Sequence, residues 1–308
     1  MADTQRFRIR FWGVRGSYPT PGPRTLLHGG NTSCIEVQAG AHTLILDAGS
    51  GIIGLGHELL QRTKGKSLNV SLLITHAHSD HLLGLPFFAP LFEQRADISF
   101  FGPFLTGMNI EQVVTLIMSP PYFPVDIRNL PSTRTFHTIA DDACIFWKHG
   151  DSEPAIIVDQ KEKEPKEFEV RVTAKLTQSH PQDGALIYRI DYAGRYLIYA
   201  TDVEWQDRCD PDVIAFAQGA DLLIHDAQYT TADYQRAKHG FGHSTVEMAT
   251  DMACAAHVNE LVLFHHEPTY DDGQLDQMEA EARTHFAHTY SASEGMEIDL
   301  LAQSTKRG

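Results

Sequence analysis

The segment from His76 to His81 carries the strongest chemical signal in the sequence. It reads His76-Ala-His78-Ser-Asp80-His81 and places three imidazoles and one carboxylate within six residues. Neutral imidazole and carboxylate are the nitrogen and oxygen ligands that zinc and similar first-row metals prefer. The apolar run Val70–Ile74 directly precedes the segment and predicts a buried strand, so the side chains lie in a loop that can turn them all inward. We interpret this segment as a metal-binding loop.

Further candidate ligands each follow an apolar run that predicts a strand. They are His180 after Val172–Leu176, Asp202 after Tyr196–Ala200, and His265 or His266 after Leu261–Phe264. A lone histidine is more often a core or surface residue than a ligand, but the strand-end position that these residues share favours a role as ligands. Four ligands from one loop cannot complete two metal sites, whereas this larger set can. Spacing alone does not decide whether His265 or His266 is the candidate ligand.

Apolar patterns predict strands that alternate with helices along the whole chain. Other predicted strands are Phe7–Phe11, Ser33–Gln38, Thr43–Leu46, Ala185–Asp191 and Asp221–His225. Predicted helices are Gly54–Arg62, Asn109–Met118 and Ser244–His257, with Leu82–Glu93 partly helical. No internal repeat, low-complexity segment or clear linker divides the chain. We therefore predict one α/β domain over residues 1–308, with two sheets and outer helices.

Composition limits the classes of partner. The 308 residues carry a net charge of -15, which argues against binding to a long nucleic acid, because such binding needs Lys and Arg to neutralise phosphates.

The four cysteines are scattered without a CxxC pair, which favours a reducing cytoplasm over a disulfide framework. The N-terminal residues lack a signal-peptide core, and no stretch approaches the ~18 apolar residues of a membrane span. The sequence predicts a cytoplasmic protein that binds no membrane.

Several motifs resemble the metallo-β-lactamase superfamily, and especially its phosphodiesterase branch, which includes ribonuclease Z. The motifs are Thr75–His81 (THAHSDH), Leu46–Gly49 (LDAG), Leu223–Ala227 (LIHDA), Gly242–Thr245 (GHST) and Leu261–His265. Asp226 is the fourth residue of the LIHDA motif, a position at which that branch usually has Glu. The resemblance covers most of the chain and implies an αββα sandwich with the site at one edge of the two sheets. That fold agrees with the predicted order of strands and helices.

The resemblance also implies roles for the candidate ligands. It assigns His76, His78 and His180 to one metal, Asp80, His81 and His265 to a second metal, and Asp202 to a bridge between them. It favours His265 over His266 as the last ligand. The implied cofactors are two divalent metal ions, with zinc expected and manganese or iron as alternatives.

The same resemblance implies three catalytic residues. Asp80 would orient the metal-activated hydroxide that attacks the substrate, as well as bind metal. His243 would donate a proton or stabilise charge at the leaving oxygen, and Asp226 would orient His243. The structural alternative is that His243 only precedes a helix that Ser244 caps.

The expected substrate is a small phosphodiester, such as a cyclic nucleotide or another cyclic phosphate. In ribonuclease Z a long arm that grips tRNA lies between the third histidine and the bridging aspartate. Here only the 21 residues from 181 to 201 separate His180 from Asp202, which is enough for one hairpin. Pro120–Pro124 contains Tyr122 and Phe123 and is either an aromatic wall of the substrate site, a packed loop or a dimer contact. The resemblance further implies a homodimer.

Other functions on the same fold stay open. The first is a thioesterase or lactonase that uses the same metal site. The motif that contains His243 favours phosphodiesters over thioesters and lactones as substrates. A second is diiron redox chemistry, which in such relatives needs a flavin-binding domain that this domain organisation does not accommodate. A third is a non-catalytic metal sensor, which a missing ligand would favour, although every ligand position is filled.

Overall fold

The strands form two eight-stranded sheets. The computed structural model describes residues 6–150, 154–157, 165–182, 184–206, 208–302 and 304–306. The strands are β1 (Phe7–Gly13), β2 (Cys34–Ala39), β3 (His42–Leu46), β4 (Leu68–Leu73), β5 (Ala96–Gly102), β6 (Thr133–Thr138), β7 (Cys144–Trp147), β8 (Ala155–Ile157), β9 (Val170–Thr177), β10 (Ala185–Tyr192), β11 (Arg195–Ala200), β12 (Leu222–Asp226), β13 (Glu260–Phe264), β14 (Thr289–Ser291), β15 (Glu297–Asp299) and β16 (Ser304–Lys306). The first sheet has the order β16-β15-β1-β2-β3-β4-β5-β6 and the second the order β14-β13-β12-β11-β10-β9-β7-β8.

Helices lie in the connections between these strands. They are α1 (Gly51–Thr63), α2 (Ile110–Ile117), α3 (Pro211–Ala217), α4 (Thr231–Asp233), α5 (Val246–Ala255) and α6 (Asp272–His285). Short 3₁₀ turns cover Ser79–His81, Leu85–Phe87, Ala89–Phe92 and Ile127–Asn129, and a π-helical turn covers Tyr234–Lys238. In the part of the chain that is described, no helix combines the length and the apolar character that a membrane crossing needs.

The two sheets face each other across a shared apolar core. Strand β1 alternates buried and half-buried residues, so that Phe7, Ile9 and Phe11 all point into this core, where they join residues such as Tyr188 and Ile190 of β10. Helices α1 and α2 pack on the outer face of the first sheet, and α3, α5 and α6 pack on the outer face of the second. Each sheet therefore buries both of its faces, and the predicted αββα sandwich is confirmed.

Each sheet contains a block of four parallel strands. In the first sheet β3, β4, β5 and β6 are parallel, and in the second β11, β12, β13 and β14 are parallel. The loops that follow parallel strands meet at one edge of a sheet, which is where open α/β sheets bind their ligands. Polar residues that stand directly after these strands are thereby gathered at that edge.

All four predicted helical segments differ from the structure at their ends or in their type: α1 begins three residues earlier than predicted, and α2 is one residue shorter at each end. The segment predicted as partly helical over Leu82–Glu93 contains only 3₁₀ turns, because Pro86 and Pro90 cannot donate the backbone hydrogen bonds of a longer helix. Helix α5 begins one residue beyond Thr245, whose Oγ1 accepts a hydrogen bond from Met248 N at 3.2 Å. Ser244 is therefore not the capping residue.

Candidate metal centre

The side chains that the sequence singled out as candidate ligands converge where the two sheets meet. His76, His78, Asp80 and His81 follow β4, His180 follows β9, Asp202 follows β11, and His265 follows β13. Their ring nitrogens and carboxylate oxygens form two groups that share Asp202. All of them are buried except His78, which is half-buried.

The first group consists of His76, His78, His180 and Asp202. Nδ1 of His78 lies 3.0 Å from Nε2 of His180. Asp202 Oδ2 lies 3.4 Å from Nε2 of His76 and 3.8 Å from Nε2 of His180. Three ring nitrogens and one carboxylate oxygen thus surround a common point.

The second group consists of Asp80, His81, His265 and the other oxygen of Asp202. Asp202 Oδ1 lies 3.2 Å from Nε2 of His81 and 3.2 Å from Nε2 of His265. Nε2 of His265 also lies 3.0 Å from Asp80 Oδ2 and 3.2 Å from Nε2 of His81. Because Asp202 presents Oδ2 to the first group and Oδ1 to the second, its carboxylate connects them.

Both groups fit a divalent metal ion. Bonds of about 2.0–2.1 Å from zinc to four tetrahedral ligands place those ligand atoms roughly 3.3 Å apart, and the distances above run from 3.0 to 3.8 Å. Nε2 of His76 is buried and makes no hydrogen bond, which a buried polar atom normally does. A bound cation would satisfy this nitrogen and would separate ring nitrogens that otherwise face one another.

The second ring nitrogen of several histidines is held by another part of the chain. Nδ1 of His81 lies 2.8 Å from Asp47 Oδ2, Nδ1 of His180 donates to Gly242 O at 2.9 Å, and Nδ1 of His265 lies 3.2 Å from Gln228 Oε1. Such contacts fix the tautomer and leave Nε2 to the metal. Sequence reasoning assigned no role to Asp47 or Gln228. Asp47 carries a usable signal, since it is a carboxylate directly after β3.

We expect Asp47→Asn to weaken metal binding about 10- to 100-fold, the usual cost of changing such a supporting residue. Asp47 also accepts hydrogen bonds from Thr75 N and Tyr199 Oη, at 2.8 and 2.9 Å. An asparagine would turn an amide donor toward one of these donors and release His81. Competition with a chelator would measure the affinity, with Asp97→Asn on β5 as the matched control. An unchanged affinity would show that Asp47 does not support the site.

The charges of the cluster set its protonation. Burial and the charge of His81 lower the pKa of His76 to about 4. Burial opposes ionisation of Asp202, yet His265 and His81 hold its pKa well below the usual value. Burial likewise opposes protonation of His81, yet the charges of Asp202 and Asp80 raise its pKa well above the usual value. Asp202 and His76 therefore already have the form that could bind a metal ion, and His81 would have to release a proton in order to bind one.

Backbone conformation at the site is unusual. Asp47, Asp202 and His265 have φ angles of 59°, 57° and 61°, the left-handed region that costs most residues about 1–3 kcal/mol each. A Cβ on Gly16 would stand 2.5 Å from the ring of His265, and one on Gly242 would stand 2.4 Å from the ring of His180. The surrounding loops thus hold the ligands in a strained but fixed arrangement.

His243 and Asp226 lie beside the two groups. Nδ1 of His243 lies 2.8 Å from Asp226 Oδ2, and the ring stacks on that of His265 with centroids 4.9 Å apart. Burial opposes protonation, but the charge and hydrogen bond of Asp226 raise the pKa of His243 to about 9. Aspartate in place of the usual glutamate therefore still reaches the histidine, and His243 is placed at the site rather than only at a helix end.

The remaining candidates lie outside the cluster. Nε2 of His266 lies 3.1 Å from Ala292 O, so its ring faces away from the ligands that His265 joins. In the loop Pro120–Pro124, the ring of Phe123 packs against Phe87 and Tyr122 is exposed. None of the hydrogen bonds, ion pairs or ring contacts described for this loop reaches the two metal-binding groups.

The chain that forms this two-sheet fold, with two His/Asp groups at the ends of its strands, matches a known protein family. The profile of the beta-lactamase superfamily domain matches residues 42–266, which is more than half of the chain, and the chain belongs to this family. The family resemblance drawn from the sequence motifs is thereby confirmed.

Similar proteins span nearly the whole chain. It is 26% identical to ribonuclease Z from Thermoplasma acidophilum, over 95% of this chain and 96% of that protein. The metallo-beta-lactamase fold protein YhfI from Bacillus subtilis superimposes with a TM-score of 0.65 at 19% identity, covering 96% of this chain and 99% of that one. The short form of human tRNase Z superimposes with a TM-score of 0.62 at 20% identity, covering 94% and 98%. At such identities the two structures establish the fold alone.

Proposed function

We propose that this hydrolase uses two divalent metal ions, zinc in the native protein, to cleave a small phosphodiester such as a cyclic nucleotide or another cyclic phosphate. The observation that carries the proposal is Asp202, whose two oxygens face two separate groups of ligands. His243 stands next to both groups and supplies the acid that phosphodiester cleavage needs at the leaving oxygen. The imidazole-rich composition of the groups supports zinc.

In this proposal the chain's residues divide into metal ligands and proton-handling groups. His76, His78 and His180 would hold one ion, Asp80, His81 and His265 would hold the other, and Asp202 would contribute one oxygen to each group. When bound, two such ions lower the pKa of a shared water and neutralise negative charge on the phosphate and on the leaving oxygen.

Two carboxylates of the chain orient the reacting groups. Asp80 Oδ2 accepts a hydrogen bond from Ser17 N at 2.7 Å, which fixes the carboxylate that would orient the attacking water. Asp226 Oδ2 accepts from Nδ1 of His243, so Nε2 of that ring is the atom left to give a proton to the leaving oxygen. Asp226 Oδ1 accepts from Gln228 N at 3.0 Å, and this keeps the carboxylate in place.

The short connection between His180 and Asp202 supports a small substrate. Its described residues form the hairpin of β10 and β11 and leave no long arm. The net charge of -15 also disfavours an extended RNA contact. The second candidate is cleavage of RNA, because the ribonuclease Z relatives match this chain over nearly their full length.

A substrate panel with metal-quantified protein tests the proposal. It contains an aryl phosphodiester, 2′,3′- and 3′,5′-cyclic nucleotides, a precursor tRNA, a thioester and a lactone. We expect turnover of the aryl phosphodiester and of at least one cyclic nucleotide, with slower cleavage of the tRNA. Preference for the tRNA would support the second candidate. A fully metallated protein that cleaves only thioesters or lactones would contradict both.

Three other interpretations of the sequence stay predictions. A cytoplasmic location is supported by four cysteines that are all unpaired. The homodimer rests on the resemblance to the phosphodiesterase branch. The single domain over residues 1–308 is supported by the core that both sheets share.

A further inference from the structure

A lysine and two aromatic rings stand beside His243 and have no part in the reaction described above. The ring of Tyr229 lies 5.9 Å from the ring of His243. Nζ of Lys238 lies 5.1 Å from the centre of the Tyr229 ring and 5.6 Å from that of Phe241. These three residues, which we call the Lys238–Phe241 platform, therefore border the side of the site where His243 would protonate the leaving oxygen.

The loop that carries Phe241 is fixed on both sides of this residue. The buried carboxylate of Glu204 accepts hydrogen bonds from Gly240 N and from Gly242 N, each at 2.7 Å, and also from Tyr234 Oη at 2.7 Å. Charge-assisted hydrogen bonds of this length are among the stronger ones in proteins. The ring of Phe241 is thus presented by a rigid loop, with little ordering entropy left to lose when a ligand binds.

Phe241 offers a flat apolar surface to solvent. It is 55% exposed, whereas Tyr229 beneath the same lysine is 2% exposed. A single exposed phenylalanine is common on protein surfaces and needs no explanation by itself. This ring differs because it is rigidly held two residues before the proposed proton donor His243 and shares Lys238 with Tyr229, which contacts His243. Nucleobases of any sequence can stack on such rings.

Lys238 adds a positive charge to this flat surface. Its side chain is 34% exposed, and its Nζ pairs with Glu267 Oε2 at 3.8 Å, a distance too long for a normal hydrogen bond. The same Glu267 oxygen lies 3.3 Å from Gln228 Nε2. An ammonium group has three N–H donors, so Lys238 can bind an anionic oxygen as well as its pair. On a chain with a net charge of -15, such a cation at the site selects for an anionic ligand.

We propose that the Lys238–Phe241 platform binds the nucleotide part of the substrate, with the base stacked on Phe241 and an anionic oxygen of the same molecule held by Lys238. This inference rests on the proposed function and narrows the substrate class to phosphodiesters that carry a nucleoside on the leaving side. The platform is a specificity site and takes no part in bond cleavage.

Calorimetric binding of adenosine monophosphate and of ribose 5-phosphate to the metal-loaded protein tests the platform without requiring turnover. The ratio of the two dissociation constants measures the contribution of the base. We expect wild type to bind the nucleotide about tenfold more tightly, in keeping with the usual strength of base stacking. Phe241→Leu should reduce the ratio to about one, because leucine keeps apolar area and loses the flat face. Lys238→Met should weaken both ligands and keep the ratio.

Matched controls are Phe168→Leu and Lys175→Met, which change an exposed ring and an ion-paired lysine outside the site. Neither should alter the binding of either ligand. A wild-type ratio near one, or a ratio that Phe241→Leu leaves unchanged, would overturn the platform. Aryl phosphodiester turnover by the same preparation separates the two proposals. Cleavage without a preference for the base in the binding assay would contradict only the platform. A preference for the base without any phosphodiester cleavage would contradict the proposed function.

Discussion

Asp202→Ala should release metal from both groups and abolish phosphodiester cleavage. Each carboxylate oxygen of Asp202 faces a different group of ligands, so one substitution removes a ligand from both. It also removes the carboxylate oxygen that lies 3.2 Å from Nε2 of both His81 and His265, which leaves Asp80 as their carboxylate partner in a buried site. The loss of affinity should exceed the roughly 10- to 100-fold cost of changing a supporting residue. Metal content after dialysis and turnover of an aryl phosphodiester are the two measurements.

Controls separate ligation from backbone strain at this position. Asp202 has a φ of 57°, which asparagine tolerates better than alanine does. Asp202→Asn should therefore melt near wild type and still lose metal and activity. Asp251→Ala, an exposed carboxylate on α5, should change neither. If Asp202→Asn retained two ions per chain and full turnover, the bridging role would be wrong.

His243→Ala should lower kcat by about 10²–10⁴ and leave the metal content unchanged. His243 contacts the ligand cluster through its ring stack on His265 and through Asp226. Together with Asp202, Asp226 and His265 it forms a third group of possible ligands, but its Nδ1 is bonded to Asp226, and each of the two metal-binding groups described above has four ligands without it. The loss should depend on the leaving group, because p-nitrophenolate leaves without a proton and a nucleoside hydroxyl needs one. Comparing kcat for an aryl phosphodiester and for a cyclic nucleotide measures this dependence.

Two further variants distinguish a proton donor from a structural histidine. Asp226→Asn should reduce kcat in the same leaving-group pattern, since the amide cannot stabilise a protonated ring as the carboxylate does. His285→Ala, an exposed histidine at the end of α6, should behave as wild type. An equal loss for both leaving groups, or a loss of metal in His243→Ala, would argue that His243 only supports the structure.

The fold class and the strands β1–β4 and β9–β13 follow from local patterns in the sequence, whereas β5–β8 and β14–β16 were not predicted. Alternation in β1 and the apolar runs of β4, β11 and β13 each have the period or length of a strand, and neighbouring side chains there face defined directions. The structure departs from these expectations between Leu82 and Glu93, where prolines break a helix into short turns. The missing backbone N–H groups of these prolines are a local property of the sequence, so this difference between expectation and structure also has a local cause.

The candidate ligands were also visible in the sequence, since each stands at the end of an apolar run. His76, His78, Asp80 and His81 are close in sequence, so one loop brings them together. His180, Asp202 and His265 lie far along the chain, and only their position after strands, with the family resemblance, indicated that they join the loop.

Tertiary structure alone decided which atoms meet. The structure separates His265 from His266 by their partners, because Nε2 of His265 lies 3.0 Å from Asp80 Oδ2 and Nε2 of His266 lies 3.1 Å from Ala292 O. Asp47 reaches His81 across 34 residues, and Glu204 reaches Gly242 across 38. Such contacts have no period or spacing in the sequence, because the packing of two sheets and their loops sets them. The sequence by itself determined the types of the candidate ligands and the strands that deliver them, and the fold determined which of their atoms meet and which residues hold them.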